Sequence, residues 1–247
     1  MNWVKTTILA TATMIGVGGV ARAGLATNDT YFFTVWTGSY AALGLSGTPS
    51  SASQATIANL PSVTPNAQFD YTGPLDFSDQ SQAGTNLAST FFGTNAANIS
   101  NFNLANGLTM SKAQFLDTSL STAYETSGGA LIPTALVTFM EITGSYTANP
   151  GTIVTISHDD GASLYTGITN APLILSGSPT TDIPSSALLP AAVTPTPFTL
   201  VYVEANGAPS VLQVTETLPV PEPGSLALLG TGLIGLGLVL RRRKAAA

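Results

Sequence analysis

Cysteine is absent from the 247 residues. That excludes a disulfide framework, a thiolate nucleophile and any Cys-ligated zinc site. Histidine occurs once, at His158, so no histidine pair can hold a metal and only one histidine base is available. Charge is scarce too. Asp, Glu, Lys and Arg make up 8% of the chain, against about 25% in an average globular protein. The cations are Lys5, Arg22, Lys112, Arg241, Arg242, Arg243 and Lys244, so between Gly24 and Leu240 a single lysine stands against all 13 acids. Binding nucleic acid needs a basic face to neutralise phosphates. This stretch has no such face, which argues against a nucleic-acid partner. Few lysines, abundant Ser, Thr, Asn, Gly and Ala, and no cysteine fit an exported β-protein.

The two ends carry the clearest patterns. Lys5 precedes an apolar run from Ile8 to Val20, and Ala21-Arg22-Ala23 closes it with small residues at the two positions a signal peptidase reads. Residues 1–23 are therefore expected to be a signal peptide, helical while it inserts and cleaved after Ala23. At the other end, Pro221-Glu222-Pro223-Gly224 precedes an apolar run from Ser225 to Leu240, followed by Arg241, Arg242, Arg243 and Lys244. Those 16 residues span roughly 24 Å as a helix at ~1.5 Å per residue. Slight bilayer thinning and snorkelling of the arginines can cover the shortfall for a single transmembrane helix over 225–240. The four cations form a membrane stop and keep the tail in the cytoplasm, which leaves the body outside the inner membrane.

The order of these C-terminal parts resembles the PEP-CTERM sorting signal, also known as the ice-binding-protein C-terminal domain. The resemblance covers about the last 27 residues. It implies recognition of Pro221, Glu222 and Pro223 by a membrane-embedded exosortase. Processing near that motif would follow a transient stay in the membrane, with delivery to the cell surface or extracellular matrix.

From about Thr27 to Leu218 helical periodicity is weak, and short β-prone runs alternate with Gly, Pro, Asn and Ser clusters. Residues 31–36, 135–142, 152–157, 198–204 and 210–215 read as strands. Ala135 to Ile142 is apolar on both faces and so should be central. Phe198, Leu200 and Tyr202 share one face of their run, with Val201 and Val203 on the other. Asn206-Gly207 is a strong turn signal and predicts a hairpin joining the last two runs. Residues 41–67 read as a long loop broken by Gly44, Gly47, Pro49 and Pro61. Leu108 to Leu120 predicts a short helix capped by Ser111 with Gln114. The domain plan is a signal peptide over 1–23, one exported domain over 24–218, and a sorting signal over 219–247 with a helix and basic tail. Pro219, Pro221 and Pro223 stiffen the linker between the last two.

One segment of the body carries candidate chemistry. A strand-like run, Thr152 to Ser157, leads into His158-Asp159-Asp160-Gly161, and Ala162 to Tyr165 follows; Tyr202-x-Glu204 comes later. Two adjacent carboxylates at a turn can offer oxygens to one shared site, and calcium takes six to eight oxygen ligands. Asp-Gly is also an ordinary hairpin turn. The pattern resembles the PA14 family, which implies a mainly β, antiparallel β-sandwich. In the glycan-binding branch of that family, paired aspartates joined by a cis peptide hold a calcium ion that bridges to sugar hydroxyls. Carried over, Asp159 and Asp160 would be the metal ligands. Tyr202 and Glu204 read as core and edge positions.

The reading is therefore an exosortase-sorted surface or matrix protein that binds or builds rather than catalyses. Calcium is the implied cofactor, and exopolysaccharide or another glycan the implied partner. The alternative is a secreted hydrolase acting on exopolysaccharide. His158 and Asp159 point to opposite faces of a strand and so cannot form a His–Asp pair, and no Gly-x-Ser-x-Gly elbow occurs. No catalytic residue is assigned. An ice-binding surface would need a repeated flat Thr-rich face, and no repeat is found.

Overall fold

Apolar residues alternate along most of the strand-like runs, and the alternation sorts them onto two faces of two sheets. The computed structural model describes residues 25, 29–45, 54–80, 86–104, 107–123, 132, 134–167, 171–177, 181–218 and 230–234. The predicted signal peptide, the Pro221-Glu222-Pro223 motif and the Arg241–Lys244 tail lie outside them. Of the predicted span over 225–240, only 230–234 is described, and it is helical. Among the described residues no helix is long and apolar enough to cross a membrane.

The described strands, in chain order, are β1 (Thr30–Ser39), β2 (Ala67–Thr72), β3 (Asp76–Asp79), β4 (Asn86–Leu87), β5 (Ile99–Ser100), β6 (Ser119–Ser121), β7 (Leu136–Ala148), β8 (Ile153–Asp159), β9 (Gly161–Thr166), β10 (Ile174–Ser176), β11 (Ile183–Leu188), β12 (Ala192–Glu204) and β13 (Ser210–Thr217). Seven of them form one sheet in the order β10-β9-β12-β7-β1-β2-β5, four form a second in the order β11-β8-β13-β3, and β4 pairs with β6. Every pairing is antiparallel. The doubly apolar run over 135–142 does become a central strand, since β7 lies between β12 and β1.

The core fills the space between the two large sheets. Tyr31, Phe33, Phe69, Tyr71, Leu200 and Tyr202 come from the seven-stranded sheet, and Phe77, Val154, Ile156, Leu212 and Val214 from the other. The short helix Ala88–Phe92 closes the core with Phe91 and Phe92, and Phe91 stacks on Tyr202 at a ring separation of 5.7 Å. Each fully buried phenylalanine contributes about 1.5–3 kcal/mol by leaving water. In a chain without disulfides this aromatic packing is a main source of stability.

A second apolar layer lies on the outer face of the seven-stranded sheet. Trp36, Val137, Phe139, Val201 and Val203 are buried there beneath Leu43, Ala55 and the partly buried Leu60. The predicted loop over 41–67 is the cover. Its described residues form turns and one 3-10 turn, Ile57–Asn59, but no strand until β2 begins at Ala67. The Trp36 indole N–H donates to the Val63 carbonyl at 2.8 Å and pins the loop in place.

Two expectations need correction. The turn at Asn206-Gly207 does not make a hairpin of the runs 198–204 and 210–215. β12 pairs with β9 and β7 in one sheet, whereas β13 pairs with β8 and β3 in the other. A local turn signal reports a reversal of the chain and leaves the pairing partner to the core. The helix predicted over 108–120 is confined to Lys112–Leu116, although its Ser111–Gln114 capping box is present as read. The chain from Ser119 is taken up by β6 instead.

Candidate functional site

β8 belongs to the four-stranded sheet and β9 to the seven-stranded one. Asp160 stands alone between them, so the chain changes sheets at Asp159-Asp160-Gly161. The segment is not the tight hairpin that Asp-Gly could equally have made. The peptide bond joining Asp159 to Asp160 is cis. β12 and β13 make the second crossing at the same end of the sandwich: Val203 pairs with Gly161, and Val211 with Asp159.

Side chains tie the two crossings together. The Tyr202 hydroxyl donates to the Asp159 carbonyl. The Ala205 N–H donates to Asp160 Oδ2 at 2.8 Å. Gly161 leaves room for close backbone approach, since a Cβ there would meet the Gly177 carbonyl oxygen at 2.9 Å. The Ala55 N–H donates to that same oxygen at 2.8 Å, so the covering loop reaches the crossing.

Both carboxylates are nearly enclosed, with Asp159 at 6% exposure and Asp160 at 1%. Burial pushes the Asp159 carboxyl up to about 7; the charge of Asp160 and a hydrogen bond between the two side chains push the same way, while a backbone hydrogen bond at Asp182 opposes them. The two acids thus compete to ionise in one small volume. Carboxyl groups in hydrogen-bond contact also lie well inside the ~5–9.5 Å separation that glycoside hydrolysis requires of its pair.

His158 is fully buried. Its Nδ1 lies 2.7 Å from the Asp160 carbonyl and its Nε2 3.0 Å from Ser185 Oγ. A carbonyl only accepts, so Nδ1 carries the proton and Nε2 accepts from the serine. Burial lowers the proton affinity of the ring, which matches a neutral, structural histidine.

Sequence reasoning placed Tyr202 in the core, where it is, and Glu204 at an edge, where it is not. Glu204 is fully buried at the end of β12, a strand flanked on both sides. Burial, with the charge of Asp160 next, holds its carboxyl well above the usual range. Its Oε2 lies 2.9 Å from the Tyr202 hydroxyl, and its Oε1 accepts from Ser121 Oγ at 2.7 Å. Ser121 also accepts from the Gly207 N–H and from Asn86 Nδ2, and Ser210 Oγ donates to Asn86 Oδ1. The Tyr-x-Glu spacing flagged two members of this network. Nothing local marks Ser121, Asn86 or Ser210, which come from distant parts of the chain.

The carboxylate pair fits a hard divalent cation. It offers carboxyl oxygens of the kind such a cation takes, and burial together with the charge of Asp160 disfavours ionising Asp159 without a counter-charge. Among the described residues no cluster of three or more acids, histidines or cysteines gathers to hold a metal.

Residues 219–244 match the PEP-CTERM protein-sorting motif. The chain is thus of the exported class that exosortase sorts to the cell surface. No curated protein matches the chain. Its described body is similar in structure to the PA14 domain of the MpAFP antifreeze protein, at 13% identity and a TM-score of 0.44, covering 78% of this chain and 86% of that one. A PA14 sugar-binding domain from an RTX adhesin is similar at 12% identity and a TM-score of 0.44, covering 76% and 89%. The A domain of epithelial adhesin 9 from Candida glabrata, solved with Galb1-4GlcNAc, is similar at 10% identity and a TM-score of 0.46, covering 81% and 90%.

Proposed function

We propose that the body of this surface-sorted protein is a non-catalytic, calcium-dependent glycan-binding module, with Asp159 and Asp160 as the calcium ligands. The observation that carries the reading is the packing of two carboxylates against each other where the chain changes sheets. Asp160 is held in place through Oδ2, which accepts from the Ala205 N–H. A bound calcium would relieve the repulsion between the acids and supply a Lewis-acidic centre for vicinal sugar hydroxyls. Two carboxylates fill part of a shell of six to eight oxygens, and the remaining places would fall to carbonyl, water and ligand oxygens.

Thermal unfolding of the full-length protein, with calcium and with chelator, tests the metal site. Calcium that binds only the folded state stabilises it by about 2.7 kcal/mol at a hundredfold excess over Kd. Replacing Asp159 and Asp160 together with Asn is expected to abolish the calcium response. Identical curves for the unmodified protein in calcium and chelator would overturn the metal site. A glycan array run under the same two conditions tests the ligand class, with calcium-dependent retention expected on exopolysaccharide or other glycan probes.

A further inference from the structure

We infer that Glu204 is a neutral carboxylic acid that positions the Asp159–Asp160 pair through the Tyr202 hydroxyl, the positioning role resting on the calcium reading above. The Tyr202 oxygen has one hydrogen and two close oxygen neighbours, the Asp159 carbonyl and Glu204 Oε2. The carbonyl cannot donate, so the tyrosine must donate to it. The contact at 2.9 Å with Glu204 is then a hydrogen bond only if Glu204 Oε2 carries the proton. An ionised Glu204 would claim the tyrosine proton and turn a phenol lone pair towards a buried carbonyl, leaving an acceptor without its donor.

The rest of the network agrees with that direction. Ser121 Oγ has one proton, given to Glu204 Oε1, and its two lone pairs are taken by the Gly207 N–H and Asn86 Nδ2. Ser210 donates to Asn86 Oδ1. The donors therefore run head to tail from Ser210 through Asn86, Ser121, Glu204 and Tyr202 to the Asp159 carbonyl, an order in which each bond polarises the next. Tyr202, Glu204, Ser121, Asn86 and Ser210 are all at most 1% exposed, so bulk solvent does not reach them. With Glu204 neutral, one fewer negative charge bears on Asp159 and Asp160, where Asp182 already adds its own.

The two halves of the inference separate experimentally. Infrared spectroscopy of the full-length protein, carrying 13C-labelled glutamate and kept in chelator near neutral pH, is expected to show a protonated-carboxyl band that Glu204→Gln removes. Absence of that band overturns the neutral acid, whatever calcium does. For the positioning role, Tyr202→Phe and Glu204→Leu are each expected to weaken calcium binding by about 10–100-fold, the usual cost of losing a group that orients a metal ligand. Glu204→Gln can donate to Tyr202 and accept from Ser121 as the neutral acid does, and is expected to restore the affinity that Leu loses. Folded Tyr202→Phe protein that binds calcium as tightly as wild type overturns the role. So does a Gln variant as weak as Leu. Wild-type protein that binds no calcium removes the positioning role together with the reading it rests on, and the infrared band still decides the state of Glu204.

Discussion

His158 and Asp159 are adjacent in sequence, yet their side chains engage different groups: the Asp160 carbonyl and the Ser185 hydroxyl for His158, the Asp160 carboxyl for Asp159. The pleat of β8 turns His158 towards Ser185, its pairing neighbourhood in β11, and turns Asp159 towards Asp160. Strand alternation therefore disposes of a His–Asp pair, as the residue order alone implied. The protonation of Asp159 has a measurable consequence. Its folded value of about 7 exceeds the unfolded value of 3.8, so between these limits the folded state holds the proton and the unfolded state does not. The stability this group contributes is complete below about pH 4 and is lost as pH rises towards about 7. In chelator, Asp159→Asn should therefore gain on wild type over that interval, read as the difference between their melting temperatures at pH 4, 5.5 and 7. A difference that stays constant with pH would refute the raised carboxyl.

At the scale of elements, the sheet-switching segment depends on a backbone close approach. A methyl group at Gly161 would meet the Gly177 carbonyl oxygen at 2.9 Å and Ala55 Cβ at 3.1 Å. The first is backbone, already held by the Ala55 N–H, and cannot swing aside as a side chain can. Gly161→Ala should cost about 1–3 kcal/mol through overpacking, seen as a lower denaturant midpoint with an unchanged slope. An unaltered midpoint would mean that the covering loop and β10 shift freely. The failed hairpin belongs to this scale as well. Asn206-Gly207 supplies a residue with positive φ at Gly207, as a reversal needs, but Leu212 and Val214 find their apolar partners beside β8 and β3. The strand follows the burial.

For the whole molecule, the sorting motif over 219–244 follows the described β-strands in sequence, the last of which ends at Thr217. The motif over 219–244 contains Pro221, Glu222 and Pro223, and proline fixes its own φ and disfavours a helical residue before it. Changing Pro221 and Pro223 to Ala is expected to leave the protein uncut in the inner-membrane fraction, detected by cell fractionation and immunoblotting of the tail. Undiminished surface display of that variant would refute the role of the motif.

The sequence by itself determined the class of export, the β-rich character and the location of the aspartate pair. Each of these is written in contiguous residues: an apolar run with a basic flank, a period-two alternation, two acids before a glycine. It also placed the central strand, because a run apolar on both faces has nowhere to go but the middle of a sheet. Only the tertiary structure decided which sheet each strand joined, what residues 41–67 cover, and that Glu204 is buried rather than at an edge. Those outcomes depend on groups far apart in the chain. Ser121 and Glu204, for example, are 83 positions apart and 2.7 Å apart in space. Strand pairing and hydrogen-bond closure over such separations follow from how the whole apolar surface is buried, and no local pattern encodes that.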